Sequence, residues 1–157
     1  MCLYSKTNKK KVAMKKIRCY KVLKYDTITK KYLAPNFNDF EYKINEVNQN
    51  QLGKLIVSVN ADDVYKGDKV RYICNHGLHT YKKIEDAFAD YEWATDNAEI
   101  ELSFPNNTLT FEYKVFECEI PRGSEYLDGA HNHDGTMKGY VSNKLKLVKE
   151  VKQPKKK

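Results

Sequence analysis

The stretch Leu109–Pro121, LTFEYKVFECEIP, narrows the fold more than any other part of the chain. Leu109, Phe111, Tyr113 and Val115 share one parity, after which the apolar set becomes Phe116, Cys118 and Ile120, with Glu117 and Glu119 opposite. Successive side chains of a strand point to opposite faces of a sheet, so this is strand periodicity. A one-residue slip turns every following side chain over. The switch between Val115 and Phe116 therefore predicts a bulge or a change of sheet face.

Similar patterns recur along the chain. Ile17–Tyr25 (IRCYKVLKY), the alternations Phe40/Tyr42/Ile44, Val70/Tyr72/Cys74 and Ile100/Leu102/Phe104, and Tyr140–Val151 all read as strands. The short apolar run Leu55–Val59 predicts a strand covered on both faces. Asn60–Asp68 has turn chemistry, with Gly67 placed for positive φ. Pro121–Gly139 holds four glycines and reads as a loop.

The stretch Cys74–Tyr91 carries the one convincing helix and reads as an architectural joint, with Gly77 letting the chain turn and His79 hydrogen-bonded to the backbone at the strand-to-helix junction. Ile84, Ala87, Phe88, Tyr91 and Ala94 line one face at helical spacing, which predicts a helix over about 81–95, with Thr80 as its cap. The fold class expected is α+β: a single domain with a mostly antiparallel twisted sheet of about seven or eight strands and one main helix. Residues 1–16 read as a basic N-terminal arm, 17–151 as the domain and 152–157 as a basic tail.

A chain of 157 residues with 41% hydrophobic content is long enough for one buried core. No apolar run approaches the roughly 20 residues of a membrane span, and the N-terminus has no apolar signal region, so a cytoplasmic location without a membrane partner is expected. The four cysteines form no CxxC pair and read as free, buried thiols. The charge is uneven. Residues 1–31 carry eleven Lys/Arg against one acid, and residues 138–157 carry eight Lys against one acid. The region between them has a net charge of −10. Terminal segments lying side by side would make one positive face able to attract phosphates, nucleic acid or an acidic partner.

Several residues have the chemistry for a site. Cys74, His76, His79, His131 and His133 could supply zinc ligands, although the CxxC and HxxxH steps of structural zinc sites are missing, and no cofactor is expected. Cys74 or Cys118 could act as a nucleophile with a histidine base, but no carboxylate is placed to orient the base. Arg18 on an early strand with Glu117 and Glu119 on a late one is similar in layout to the ADP-ribosyltransferases. There a basic residue holds the cofactor phosphates and a late glutamate holds the ribose. Lys9, Lys10, Lys11, Lys15 and Lys16, with Tyr4, Tyr20, Tyr25 and Tyr32 interleaved, suit weak, non-specific contact with single-stranded nucleic acid.

Six elements in linked order carry a family resemblance: the start Met1-Cys2-Leu3-Tyr4-Ser5-Lys6-Thr7; Ile17–Leu23; Tyr42-Lys43-Ile44-Asn45-Glu46; the Gly77-Leu78-His79-Thr80-Tyr81 step before a helix with Glu85-Asp86-Ala87; the Glu119-Ile120-Pro121-Arg122-Gly123-Ser124-Glu125-Tyr126 turn; and Val141-Ser142-Asn143-Lys144-Leu145 in the last strand. Together they resemble a group of short, uncharacterised proteins of gut bacteria and their phages. Leu127 stands where that group has a second tyrosine. The resemblance implies a small phage or mobile-element protein, located in the host cytoplasm if phage-encoded, and implies no activity. The leading expectation is a non-enzymatic binding or accessory protein whose partner is a protein or bears phosphate. It would act through His79, Thr80, Tyr81, Arg122 and Tyr126, with the basic termini tuning association.

Overall fold

The computed structural model describes residues 3–34, 40–74, 76–102, 111–132 and 134–153. In chain order the elements are β1 (Leu3–Ser5), β2 (Lys11–Val12), β3 (Ile17–Asp26), β4 (Lys31–Leu33), β5 (Glu41–Tyr42), β6 (Val47–Gln49), β7 (Ser58–Val59), α1 (Ala61–Lys66), β8 (Tyr72–Cys74), β9 (Leu78–Tyr81), α2 (Ile84–Leu102), β10 (Phe111–Ile120), β11 (Glu125–Ala130), β12 (Lys138–Ser142) and β13 (Lys144–Val151). The strands form one open sheet in the order β6-β13-β10-β3-β9-β12-β11-β1-β8-β7, with β2 beside β11, β4 beside β3 and β5 beside β4. The class is α+β and the pairing antiparallel, as the alternating patterns predict. The described residues hold 13 strands, where seven or eight were expected.

The frame is the β3/β10 pair, ten residues in unbroken register from Phe111 opposite Asp26 to Ile120 opposite Ile17. On one face Val22, Val115, Tyr20 and Tyr113 pack with Tyr81 and with Ala87, Phe88, Ile84 and Tyr91 of α2. On the other, Cys19, Leu23, Phe116, Cys118 and Ile120 join Leu145, Leu147, Leu78, Ala13 and Tyr42 in the largest core cluster, with Tyr126 and Tyr140 at its margin. Strands from both halves of the sheet meet in that cluster, so the sheet curls around it. Val115 and Phe116, 2% and 1% exposed, are thus buried on opposite faces. The parity switch is a change of sheet face, and β10 has no bulge against β3. The irregularity lies in β13, where pairing steps from Glu117–Lys149 to Cys118–Leu147 and Val148 becomes the extra residue.

Other expectations need correcting. The helix starts at Ile84, because Lys82 still pairs with the sheet by donating its N–H to the Lys138 carbonyl at 3.1 Å. Thr80 is a fully buried strand residue and caps nothing. Ile100 and Leu102 belong to α2 and not to a strand; Phe104 lies outside the described residues. The supposed loop from Pro121 to Gly139 contains β11 and the start of β12. Its Gly129 is a point of close approach, where a Cβ would sit 2.1 Å from the Tyr4 carbonyl oxygen. Of Leu55–Val59 only Ser58 and Val59 form a strand, at the sheet edge, with Ile56 and Val59 exposed. Asn60–Asp68 folds as α1, closed by Gly67 at φ 72°.

The N-terminal segment, read as an arm, is woven into the sheet. Leu3, with 0% exposure, sits between β8 and β11, and Ala13 exchanges backbone hydrogen bonds with Ser124 and Gly123. Its lysines suggest an arm, but a strand needs only one apolar parity, and three residues are enough to fill a gap between two others.

Candidate binding face

Beyond the footprint of α2, the helix-covered face of the sheet turns ionic. Register sets the rows: Arg18 of β3, Glu119 of β10 and Lys146 of β13 lie across from one another, and the next row is Tyr20, Glu117 and Lys149. Directly opposed residues share a face, and Lys144 joins Lys146 at a spacing of two. Arg18 Nε is 3.6 Å from Glu117 Oε1, and Lys16 Nζ is 3.6 Å from Glu119 Oε1. The side chains of Lys16 and Arg18 are 73% and 72% exposed. The two basic ends of the chain therefore supply one face, separated by a single strand. Five cations, Lys16, Arg18, Lys144, Lys146 and Lys149, bracket two carboxylates. Exposed pairs of this kind contribute about 0–1 kcal/mol each to stability, so the arrangement is not explained as a fold requirement.

The remaining N-terminal lysines are placed differently. Lys10 pairs with Glu125 and Lys11 with Asp128, both at 3.6 Å, on the outer part of β11. Lys9 and Lys15 are exposed. Sequence order groups all five; the sheet brings only Lys16 into the ionic rows.

The structure also brings Arg18, Glu117 and Glu119 together, but as cross-strand neighbours in which Arg18 pairs with Glu117 and Glu119 pairs with Lys16. His79, Thr80 and Tyr81, expected on a surface, are 7%, 0% and 5% exposed, because β9 is an interior strand covered on both sides. Within the expected binding set, Arg122 is exposed at the turn before β11, and Tyr126 is half-buried with its ring 6.0 Å from that of Tyr140.

The candidate ligands at the junction form an architectural joint. His79 Nε2 donates to the Cys74 carbonyl at 3.0 Å, and His131 Nε2 donates to the Thr80 carbonyl at 2.7 Å. The two imidazoles lie 5.7 Å apart, and the Tyr81 hydroxyl donates to Asp90 at 3.0 Å. Gly77 permits the tight entry, since a Cβ there would sit 2.3 Å from Val141 Cγ2. His76 is exposed, and His133 lies outside the described residues. Among the described residues no three His, Cys, Asp or Glu side chains gather as a metal site requires.

Burial, reinforced by His131 and Lys21, holds the His79 imidazole well below its ordinary pKa of 6.5. The unfolded chain then binds the extra proton as pH falls below about 6.5, so this group's penalty grows by about 1.4 kcal/mol per pH unit until the folded pKa is reached. Urea midpoints measured between about pH 7.5 and 5.5 are expected to drop in the wild type and to flatten in His79→Gln. An unchanged slope in the variant would contradict this assignment.

Sequence reasoning missed Lys21. The lysine shares the parity of Ile17, Cys19 and Leu23 on β3, and that polar residue at a core position was the available signal. It is 7% exposed, donates to the His79 carbonyl at 2.6 Å and lies 5.3 Å over the Tyr42 ring. Among the described residues no carboxylate is within ion-pair distance. Desolvation lowers its pKa from 10.5 to about 8. Desolvation also pushes Cys19 up to about 12 and Cys118 well above the usual thiol range, so neither is poised as a nucleophile.

Among the described residues no helix is long and apolar enough to cross a membrane. The chain matches no protein-family model, no curated protein and no solved structure.

Proposed function

We propose that this chain is a small, non-enzymatic binding or accessory protein of phage or mobile-element type, acting in the cytoplasm. Its recognition surface is the ionic sheet face, and its partner bears phosphate. The observation that carries this is the convergence of Lys16, Arg18, Lys144, Lys146 and Lys149, drawn from both basic ends of the chain, onto one exposed face. Cations on a rigid sheet are held ready for a polyanion, and released counterions drive association. An ADP-ribosyltransferase-like activity would need Arg18 offered to a cofactor phosphate. It would also need a late glutamate free for the ribose, and here Glu117 lies against Arg18 and Glu119 against Lys16, which favours the binding reading.

The test is fluorescence anisotropy with a labelled oligothymidylate. Arg18→Ala/Lys146→Ala/Lys149→Ala is expected to weaken binding by about tenfold or more, at roughly 0.5–1 kcal/mol per exposed cation. Lys10→Ala/Lys11→Ala, at β2 beside β11 and separated from β3 by β9 and β12, should change it little. Equal losses in both variants would move the surface elsewhere.

A further inference from the structure

We propose that Cys19 and Cys118 are a modification site: an oxidisable thiol pair that can close into a disulfide joining the two central strands. The inference is independent of the binding face and goes beyond it. Cys19 and Cys118 are direct partners in the β3/β10 register, lie on the same face and are both free and 0% exposed. Directly opposed antiparallel residues have Cα atoms about 4.5–5.5 Å apart, inside the range of about 4.4–6.8 Å that a disulfide spans. Cys74, also fully buried, faces Leu3 across β8/β1 and serves as an internal control.

The chemistry is exchange with a low-molecular-weight disulfide such as oxidised glutathione. One thiolate attacks a glutathione sulfur, making a mixed disulfide and expelling one glutathione thiol. The second cysteine then attacks the protein sulfur of that intermediate and expels the other. Two protein thiols are oxidised, one small disulfide is reduced, and the two thiol protons pass to the two departing thiols. Burial raises both thiols by more than the nearby Lys21 ammonium lowers them, so the closed sheet is unreactive. The link forms while β3 and β10 are assembling or transiently apart.

The test is refolding of the full chain from urea in a buffer of reduced and oxidised glutathione, followed by thiol titration and non-reducing peptide mapping. The expected product is a monomer whose thiols fall from four to two, with the peptides of Cys19 and Cys118 joined. Cys74→Ala should give the same link. Four cysteines allow six pairings. A scatter over several of them, a dominant pair that includes Cys74, or retention of all four thiols would overturn the proposal.

Discussion

Lys21→Met is expected to raise stability at pH 7 by about 3 kcal/mol, the equivalent of lowering a pKa from 10.5 to about 8. A methionine of similar length fills the same space without requiring an ammonium beside Cys19, Cys118 and Tyr42. The lost bond to the His79 carbonyl reduces the gain somewhat. The sign with pH is definite. Between about pH 8 and 10.5 the unfolded chain holds more protons at this position than the folded one, so the lysine's penalty shrinks as pH rises. Cys19 and Cys118 act in the opposite sense. Their thiols ionise near 9.0 when unfolded but stay protonated in the fold, so they take stability away above that pH. Wild-type stability should therefore peak at about pH 8–9. Lys21→Met should be more stable at neutral pH and lack the rise. Urea unfolding across this range measures both, and a destabilised Lys21→Met would contradict a net penalty for burying this ammonium.

Phe116→Ala is expected to cost about 3–5 kcal/mol. Phe116 is among the largest fully buried side chains, and its ring meets that of Tyr32 edge-on at 5.2 Å between centroids. It sits between β3 and β13 in the cluster around which the sheet curls, so the lost volume opens onto Leu145, Leu147 and Leu23 together. For a chain of this size the midpoint of thermal unfolding should fall by about 10 °C. Tyr65→Ala, at a side chain 92% exposed on α1, should shift stability by less than about 0.5 kcal/mol. Similar losses from the two would mean that this cluster does not hold the fold.

What the sequence made legible follows from where one interaction dominates. β3 and β10 are long, and α2 packs one stripe against them, so periodicity alone located them; Tyr140–Val151, read as one strand, is two, β12 and β13, with a bend at Asn143 between them. The parity switch at Val115/Phe116 correctly signalled a strand buried in turn on each face. The short strands were not legible, because two or three residues such as Lys11–Val12 or Glu41–Tyr42 contain no period. Their pairing is decided by neighbours far away in sequence. Glycine misled in the stretch before β12. Gly129 and Gly139 are strand positions where another chain segment passes too close for a side chain, not points of a loop. His79 carried two readings, a backbone-bonded joint and a binding surface; its buried bond to the Cys74 carbonyl fits the first, and its burial in an interior strand overturns the second. The ionic face could be foreseen only as a conditional. The two basic ends were visible, but the single intervening strand that aligns Arg18, Glu119 and Lys146 is a product of topology.

The most direct measurement of the binding face is the salt dependence of oligothymidylate affinity between about 50 and 200 mM salt, for the wild type and for Arg18→Ala/Lys146→Ala/Lys149→Ala. The wild type is expected to show a linear fall of log affinity with log salt, and the variant a slope smaller by about 2–3, one unit or slightly less per phosphate contact removed. A wild type that fails to bind at the lowest salt, or a variant with an unchanged slope, would contradict the assignment of this face.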